Sequence, residues 1–216
     1  MKRALIFFFL LYLSFSVVAS AQKAPSGTPT RAIQDLDDKL DDYKTGSNLS
    51  DADKEFNRNL KKDILHGTFD IGELSQMALA KHWDERTKAE QDEFVQVLTD
   101  LLENRAILSK EQGQKKAKSQ NLYVITYKGD KFLNAEKTRA RTLTSVFVKS
   151  ENIRVGLDYK LKKANDGWKI YDVIVDGASL LDNYKFQFDS IIKKGGYEDL
   201  IRRMKNKLAS LQKQNG

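Results

Sequence analysis

Trp168-Lys169-Ile170-Tyr171-Asp172-Val173-Ile174-Val175-Asp176-Gly177-Ala178-Ser179-Leu180-Leu181-Asp182-Asn183-Tyr184-Lys185-Phe186-Gln187-Phe188 reads as a strand, a turn and a helix start in one run. Residues 168–175 are rich in β-branched and aromatic side chains, which suit a pleated surface. Asp176-Gly177 ends that strand, and Ser179 with Asp182 predicts a capped helix displaying Leu181, Tyr184, Phe188, Ile191 and Ile192 at helical spacing. Just upstream, Asn165-Asp166-Gly167 is expected to supply the positive-φ residues of a tight turn. Before the turn, Ile153, Val155, Leu157, Tyr159 and Leu161 alternate strictly with polar residues, so residues 153–162 form a strand with one buried face. The two strands should therefore make an antiparallel hairpin.

Further strands are predicted at residues 122–127 and 138–148, and helices fill both ends of the chain. At the C-terminal end, Gly195-Gly196 stops the helix that begins near Ser179, and another from about Tyr197 carries Leu200, Ile201, Met204, Leu208 and Leu211 on one side. At the other end, Ile33, Leu36, Leu40 and Tyr43 recur at helical spacing, followed after Ser50 by a stripe of Phe56, Leu60 and Ile64. Asp70 with Glu73 predicts a helix over 71–83, and Thr87 with Glu90 one over 88–108 bearing Phe94, Val97, Leu98, Leu101 and Leu102. Helices, a meander of strands and helices again define an α+β fold: a mostly antiparallel twisted sheet with helices packed on one face.

The first 21 residues have a different character. Lys2 and Arg3 precede an apolar run from Ala4 to Val18, broken only by Ser14 and Ser16, and Ala19-Ser20-Ala21 offers a small-residue cleavage site. A membrane span needs about 20 apolar residues, so residues 1–21 read as a secretory signal peptide cleaved after Ala21. That leaves residues 22–216 as one domain, opening on a flexible leader with Pro25 and Pro29. Losing Lys2 and Arg3 lowers the formal net charge from +7 to +5. That mild basic bias suits anionic headgroups or an acidic partner, while export argues against nucleic acid. The chain has no cysteine, which excludes disulfides, thiolate metal sites and a lipid-modified N-terminal cysteine.

Catalytic patterns are sparse. The two histidines, His66 and His82, lack metal-ligand spacing, and the glycines form neither a dinucleotide nor a phosphate loop. Asp172, a carboxylate inside an apolar strand, is the one candidate general base; the competing reading is a structural acid bonded to backbone or to a basic neighbour.

The opening stretch also carries a resemblance. Tryptophan at 168, aspartate at 172, the acidic-Gly-x-Ser at 176–179 and the Asn-Tyr-basic-x-x-Phe at 183–188 resemble the signature of the MlaC, or toluene-tolerance, family. Phe69-Asp70, the run Leu79-x-Lys81-His82-Trp83 and the Thr87-x-x-Glu90 pattern are similar to that family as well. Asp176 stands for a common glutamate, Lys185 for a common arginine, and Asn104-Arg105-Ala106 replaces a usual Thr-Tyr. The resemblance implies a periplasmic phospholipid carrier of a Gram-negative cell. As an auxiliary component of lipid transport that maintains outer-membrane lipid asymmetry, it would pass lipid between an outer-membrane lipoprotein–porin complex and an inner-membrane ABC transporter with its lipid-binding subunit. It further implies a monomer that is not an enzyme, with an apolar cavity, no cofactor and phospholipid as cargo.

On that reading, the tail-contacting candidates come from the apolar faces of the sheet and its covering helices: Phe94, Leu98, Leu102, Val146, Val148, Val155, Leu157, Tyr159, Ile170, Ile174, Tyr184 and Phe188. Two other readings compete with it. One is a cone-shaped α+β enzyme using Asp172 as base on an apolar substrate; the other is an envelope scaffold that binds protein and has a solid core. The basic groups Lys115, Lys116 and Lys118, and Arg202, Arg203 and Lys205, are candidate partner or membrane contacts.

Overall fold

A computed structural model describes residues 23–46, 48–104, 123–149 and 151–215. The stretch 1–21 read as a signal peptide, the basic group at 115–118 and the far end of the helix expected to reach residue 108 lie outside the described residues. Among the described residues, five α-helices and a five-stranded sheet follow in the order α1 (Pro29–Asp41), α2 (Asp51–Thr68), α3 (Ile71–Leu79), α4 (Lys88–Asn104), β1 (Tyr123–Phe132), β2 (Arg139–Val148), β3 (Ile153–Ala164), β4 (Gly167–Val175), β5 (Ala178–Ser179) and α5 (Leu180–Asn215), with a 3-10 turn at Ala80–His82 after α3. The strands pair in sequence order, every pair antiparallel. The α+β architecture read from the sequence is the one found.

Local chemistry sets the helix ends. Ser50 and Asp53 form a reciprocal capping box on α2, and Thr87 and Glu90 one on α4. The leader expected to be flexible is instead engaged: Pro29 occupies the first turn of α1 behind the cap Thr28, Ala24 N–H bonds the Gln34 side chain, and the Trp168 indole donates to Gly27 O at 2.9 Å. On α2, Phe56 faces out under Lys44, and Asn57 is buried in its place. Its amide accepts from Lys44 N–H at 2.8 Å and donates to Lys44 O at 2.9 Å, fixing the loop between α1 and α2.

Two bulges reshape the sheet. In β1 the register shifts between Tyr127 and Asp130, with Gly129 at φ 92°, so the strand continues five residues past the predicted end at 127. In β4, Lys160 pairs with Asp172 but Leu161 pairs with Ile170, leaving Tyr171 as the extra residue. The β3–β4 turn places only Gly167 at positive φ, not Asn165 or Asp166. The next turn does use two: Asp176 at φ 48° and Gly177 at φ 85° close a tight hairpin onto β5, a strand not anticipated from sequence.

Because Tyr171 is bulged, β4 feeds two separate apolar cores. One, under α1 and α2, joins Ile33, Leu36 and Ile64 to Ala140, Tyr159, Leu161, Trp168 and Ile170. The other joins Tyr171 to α3, α4 and α5 through Leu74, Leu79, Phe94, Leu98, Leu181, Phe188 and Leu200. Gly196, at φ 83° and ψ 174°, kinks α5 so that Tyr197, Leu200, Ile201 and Met204 also reach this helical core.

Glu73 holds α3 to the sheet. The second half of the expected capping box is absent, because its carboxylate turns away from Asp70 to Arg139 and, at 2.7 Å, to Lys162. Desolvation alone would push the Glu73 carboxyl up, but hydrogen bonds and charge from Lys162 and Arg139 outweigh it and hold the group below the usual carboxylate range. A depressed carboxylate contributes stability above its unfolded pKa of about 4.3 and loses it as pH falls through the lower folded value. Urea unfolding from pH 5 to pH 3 should therefore show a steeper loss of stability in the wild type than in Glu73→Gln; equal slopes would refute the role.

Candidate functional site

A narrow apolar cavity of about 40 Å³ lies where the two cores meet. Leu65 and Phe69 of α2 and its cap, with Val173 of β4, come from the sheet side; Leu74, Leu102, Leu181 and Tyr184 come from the helical lobe, and Leu180 and Asp172 complete the wall. This volume has room for no more than a few waters. An acyl chain can enter only if the lobe and the sheet part along this seam.

The apolar surface continues out of the cavity along the sheet. Val173 pairs with Tyr159 and Val175 with Leu157, while Val155 pairs with Val146 and Ile153 with Val148. Side chains two residues apart share a face, so Val173, Val175, Tyr159, Leu157, Val155, Ile153, Val146 and Val148 form one strip. Leu157, Val155, Val146 and Val148 are half-buried, and Ile153 and Val175 are 44% and 38% exposed. From Tyr159 to Ile153 the strip runs roughly 20 Å at ~3.4 Å per residue. One leaflet of a bilayer's hydrocarbon core is roughly 15 Å deep.

The twelve sequence candidates do not share one surface. Leu102 and Tyr184 line the cavity. Val146, Val148, Val155 and Leu157 form the outer strip, with Tyr159 at its inner end. Phe94, Leu98 and Phe188 sit behind the cavity in the helical core, where Phe94 meets Phe188 edge-on at 5.6 Å and Tyr184 stacks on Phe188 at 5.5 Å. Ile170 belongs to the sheet-side core, and Ile174 is buried on the opposite face, paired with Asp158 and Ser179. Simple alternation would put Ile170 and Ile174 on one face; the bulge at Tyr171 gives that face to Val173 instead. Leu65, Phe69, Leu74, Val173, Leu180 and Leu181 line the cavity without being among the tail-contacting candidates, and the one available signal for Leu65 is its place beside the stripe residue Ile64.

Asp172 reaches the cavity wall, but its carboxylate is fully engaged. It accepts from Ser179 Oγ at 2.8 Å and Leu181 N–H at 3.0 Å and pairs with Lys160 Nζ at 2.9 Å, its side chain wholly buried. These contacts join β3, β5 and the first turn of α5, the structural-acid reading of this residue. Ser179 Oγ in turn accepts from Asp182 N–H at 2.9 Å as the helix cap. Asp176 accepts from Gly156 N–H at 2.7 Å, tying the β4–β5 turn to β3. On the far side of α5, His82 bonds Asp189 at 2.9 Å, and Lys193, His82 and Lys81 together hold the Asp189 carboxyl well below its ordinary range.

Among the described residues no group of three or more His, Asp or Glu is placed to hold a metal ion, and no helix is long and apolar enough to cross a membrane. The site is thus defined by shape and apolar lining: an α+β domain with an interior apolar seam between sheet and helical lobe. The profile of the MlaC protein family matches residues 33–206, and the chain belongs to that family. Among solved structures, the phospholipid-binding protein from Ralstonia solanacearum, determined in complex with a phospholipid, has the same fold. It superposes with a TM-score of 0.65 at 24% identity, covering 84% of this chain and 97% of that one. No curated protein matches the chain.

Removing one partner of a buried ion pair costs on the order of 3 kcal/mol. Asp172→Ala should lose about that much in urea unfolding, since Leu181 N–H and Ser179 also lose their acceptor. A loss below about 1 kcal/mol would show that the clasp does not hold α5 to the sheet.

Proposed function

We propose that this chain is a soluble periplasmic phospholipid carrier. The signal segment 1–21 would direct export and be removed, leaving residues 22–216 as one lipid-binding domain. The observation that carries the reading is the continuity of the seam cavity with the half-buried strip of Leu157, Val155, Val146 and Val148. Family membership and the phospholipid held by the Ralstonia protein support it.

The physical requirement is simple. Each methylene exposed to water costs about 0.8 kcal/mol, so two long tails cost on the order of 20 kcal/mol. A carrier must cover the tails, leave the headgroup near water, and yield the lipid to a partner offering an equally apolar site. Leu65, Phe69, Leu102, Val173 and Tyr184 would contact the tails first, the strip would hold their length, and Phe94, Leu98, Tyr159, Ile170, Ile174 and Phe188 would form the packing behind. No cofactor and no bond chemistry is needed. The donor and acceptor we propose are those of the family reading: an outer-membrane lipoprotein–porin complex and an inner-membrane ABC transporter with its lipid-binding subunit.

Native mass spectrometry with lipid extraction, on protein purified from the periplasm without detergent, should show a mass excess of one phospholipid. Leu157→Gln should be exported and folded but carry less lipid. A clean protein mass, with no uptake from phospholipid vesicles, would refute the carrier.

A further inference from the structure

The walls of the cavity come from two apolar clusters, the helical one reaching the sheet at Tyr171. Leu65 stands on α2, which is anchored in the sheet-side core by Ile64 and to the α1–α2 loop by Asn57. Leu102 stands on α4, which is locked to α5 by the Phe94–Phe188 contact, by Tyr197 Oη donating to Glu90 O at 2.7 Å, and by Lys205 Nζ on Glu93 at 2.6 Å. The residues that immediately follow the two wall leucines meet each other: His66 Nε2 lies 3.0 Å from Glu103 Oε1. The Glu103 side chain is only 17% exposed, whereas that of His66 is 61% exposed, so the bond reaches from the seam to the surface.

We propose that His66–Glu103 is a latch that holds the seam shut, with the Asp172 clasp at the start of α5 as the pivot about which the helical lobe swings. The inference rests on the carrier reading and adds to it the place where the protein opens. A hydrogen bond is lost beyond about 3.5 Å, so any parting of Leu65 from Leu102 wide enough for an acyl chain must break this one. The Lys205–Glu93 bridge lies wholly within the lobe and survives the same motion. At the point where β5 passes into α5, Asp172 bonds the backbone of Leu181 and the hydroxyl of Ser179, and Glu73 holds α3 to Arg139 and Lys162, so the lobe keeps these ties to the sheet as it turns.

The test is the rate at which the purified exported chain takes pyrene-labelled phosphatidylcholine from self-quenched phosphatidylcholine–phosphatidylglycerol vesicles, followed by stopped-flow fluorescence. His66→Ala and Glu103→Ala should each raise the rate constant about twofold to fivefold, the effect of losing one partly exposed pair. The double variant should be no faster than the quicker single one, because both substitutions remove the same bond. Glu93→Gln, which breaks the bridge to Lys205 within the lobe, should stay at the wild-type rate. Singles at the wild-type rate, effects that multiply in the double variant, or equal acceleration in Glu93→Gln would each overturn the latch. Wild-type protein that takes up no lipid would overturn the carrier reading itself, and uptake with unchanged variants the latch alone. His66 is largely exposed, so its replacement leaves the fold intact and the comparison interpretable.

Discussion

The arrangement of this protein depends on one buried carboxylate. Asp172 sits where water cannot reach it, and a charge in that position is tolerated only when paired and hydrogen-bonded. Lys160 supplies the charge, Ser179 and Leu181 the donors, and the three come from β3, β5 and α5. The geometry that satisfies Asp172 therefore also fixes where α5 leaves the sheet. Leu180, Leu181 and Tyr184, in the first turns of that helix, are set against β4 as the wall of the cavity.

The second constraint is the division of the apolar interior. A domain of this size can bury one continuous core, but the bulge at Tyr171 sends adjacent β4 residues into different clusters. Each cluster holds side chains that are almost wholly buried, such as Phe94 in one and Ile170 in the other. Fully burying a side chain of that size is worth roughly 1.5–3 kcal/mol, so each body has packing of its own. The boundary between them is lined by apolar side chains and encloses little space. Apolar walls of that kind can cover an apolar guest once they part.

Much of this was legible in the sequence because it is written in short-range patterns. The alternation of Ile153 to Leu161, the caps at Ser50, Asp70, Thr87 and Ser179, and the turn at Asp176-Gly177 each depend on neighbours a few residues away. The misplacements share an opposite cause. Gly129 and Tyr171 shift the strand register by one residue, and a one-residue shift exchanges the faces of the sheet. Thus Val173, not Ile174, lines the cavity. Phe56 faces solvent because Asn57 satisfies a loop whose backbone groups no local pattern reveals. Leu65 and Leu181 were invisible as wall residues because a seam between two cores is a long-range feature, and an apolar side chain beside a cavity has the same local pattern as one in a solid core.

On the carrier reading, acyl chains lie in the seam between the sheet and the helical lobe. A phospholipid carrying a diazirine near the middle of one tail, loaded from vesicles, irradiated and mapped by peptide mass spectrometry, tests it directly. Adducts are expected on residues of the seam and strip, among them Leu65, Leu102, Val173, Tyr184 and Leu157. Adducts confined to surfaces outside the seam, such as the exposed side of α5 around Phe186, would contradict it.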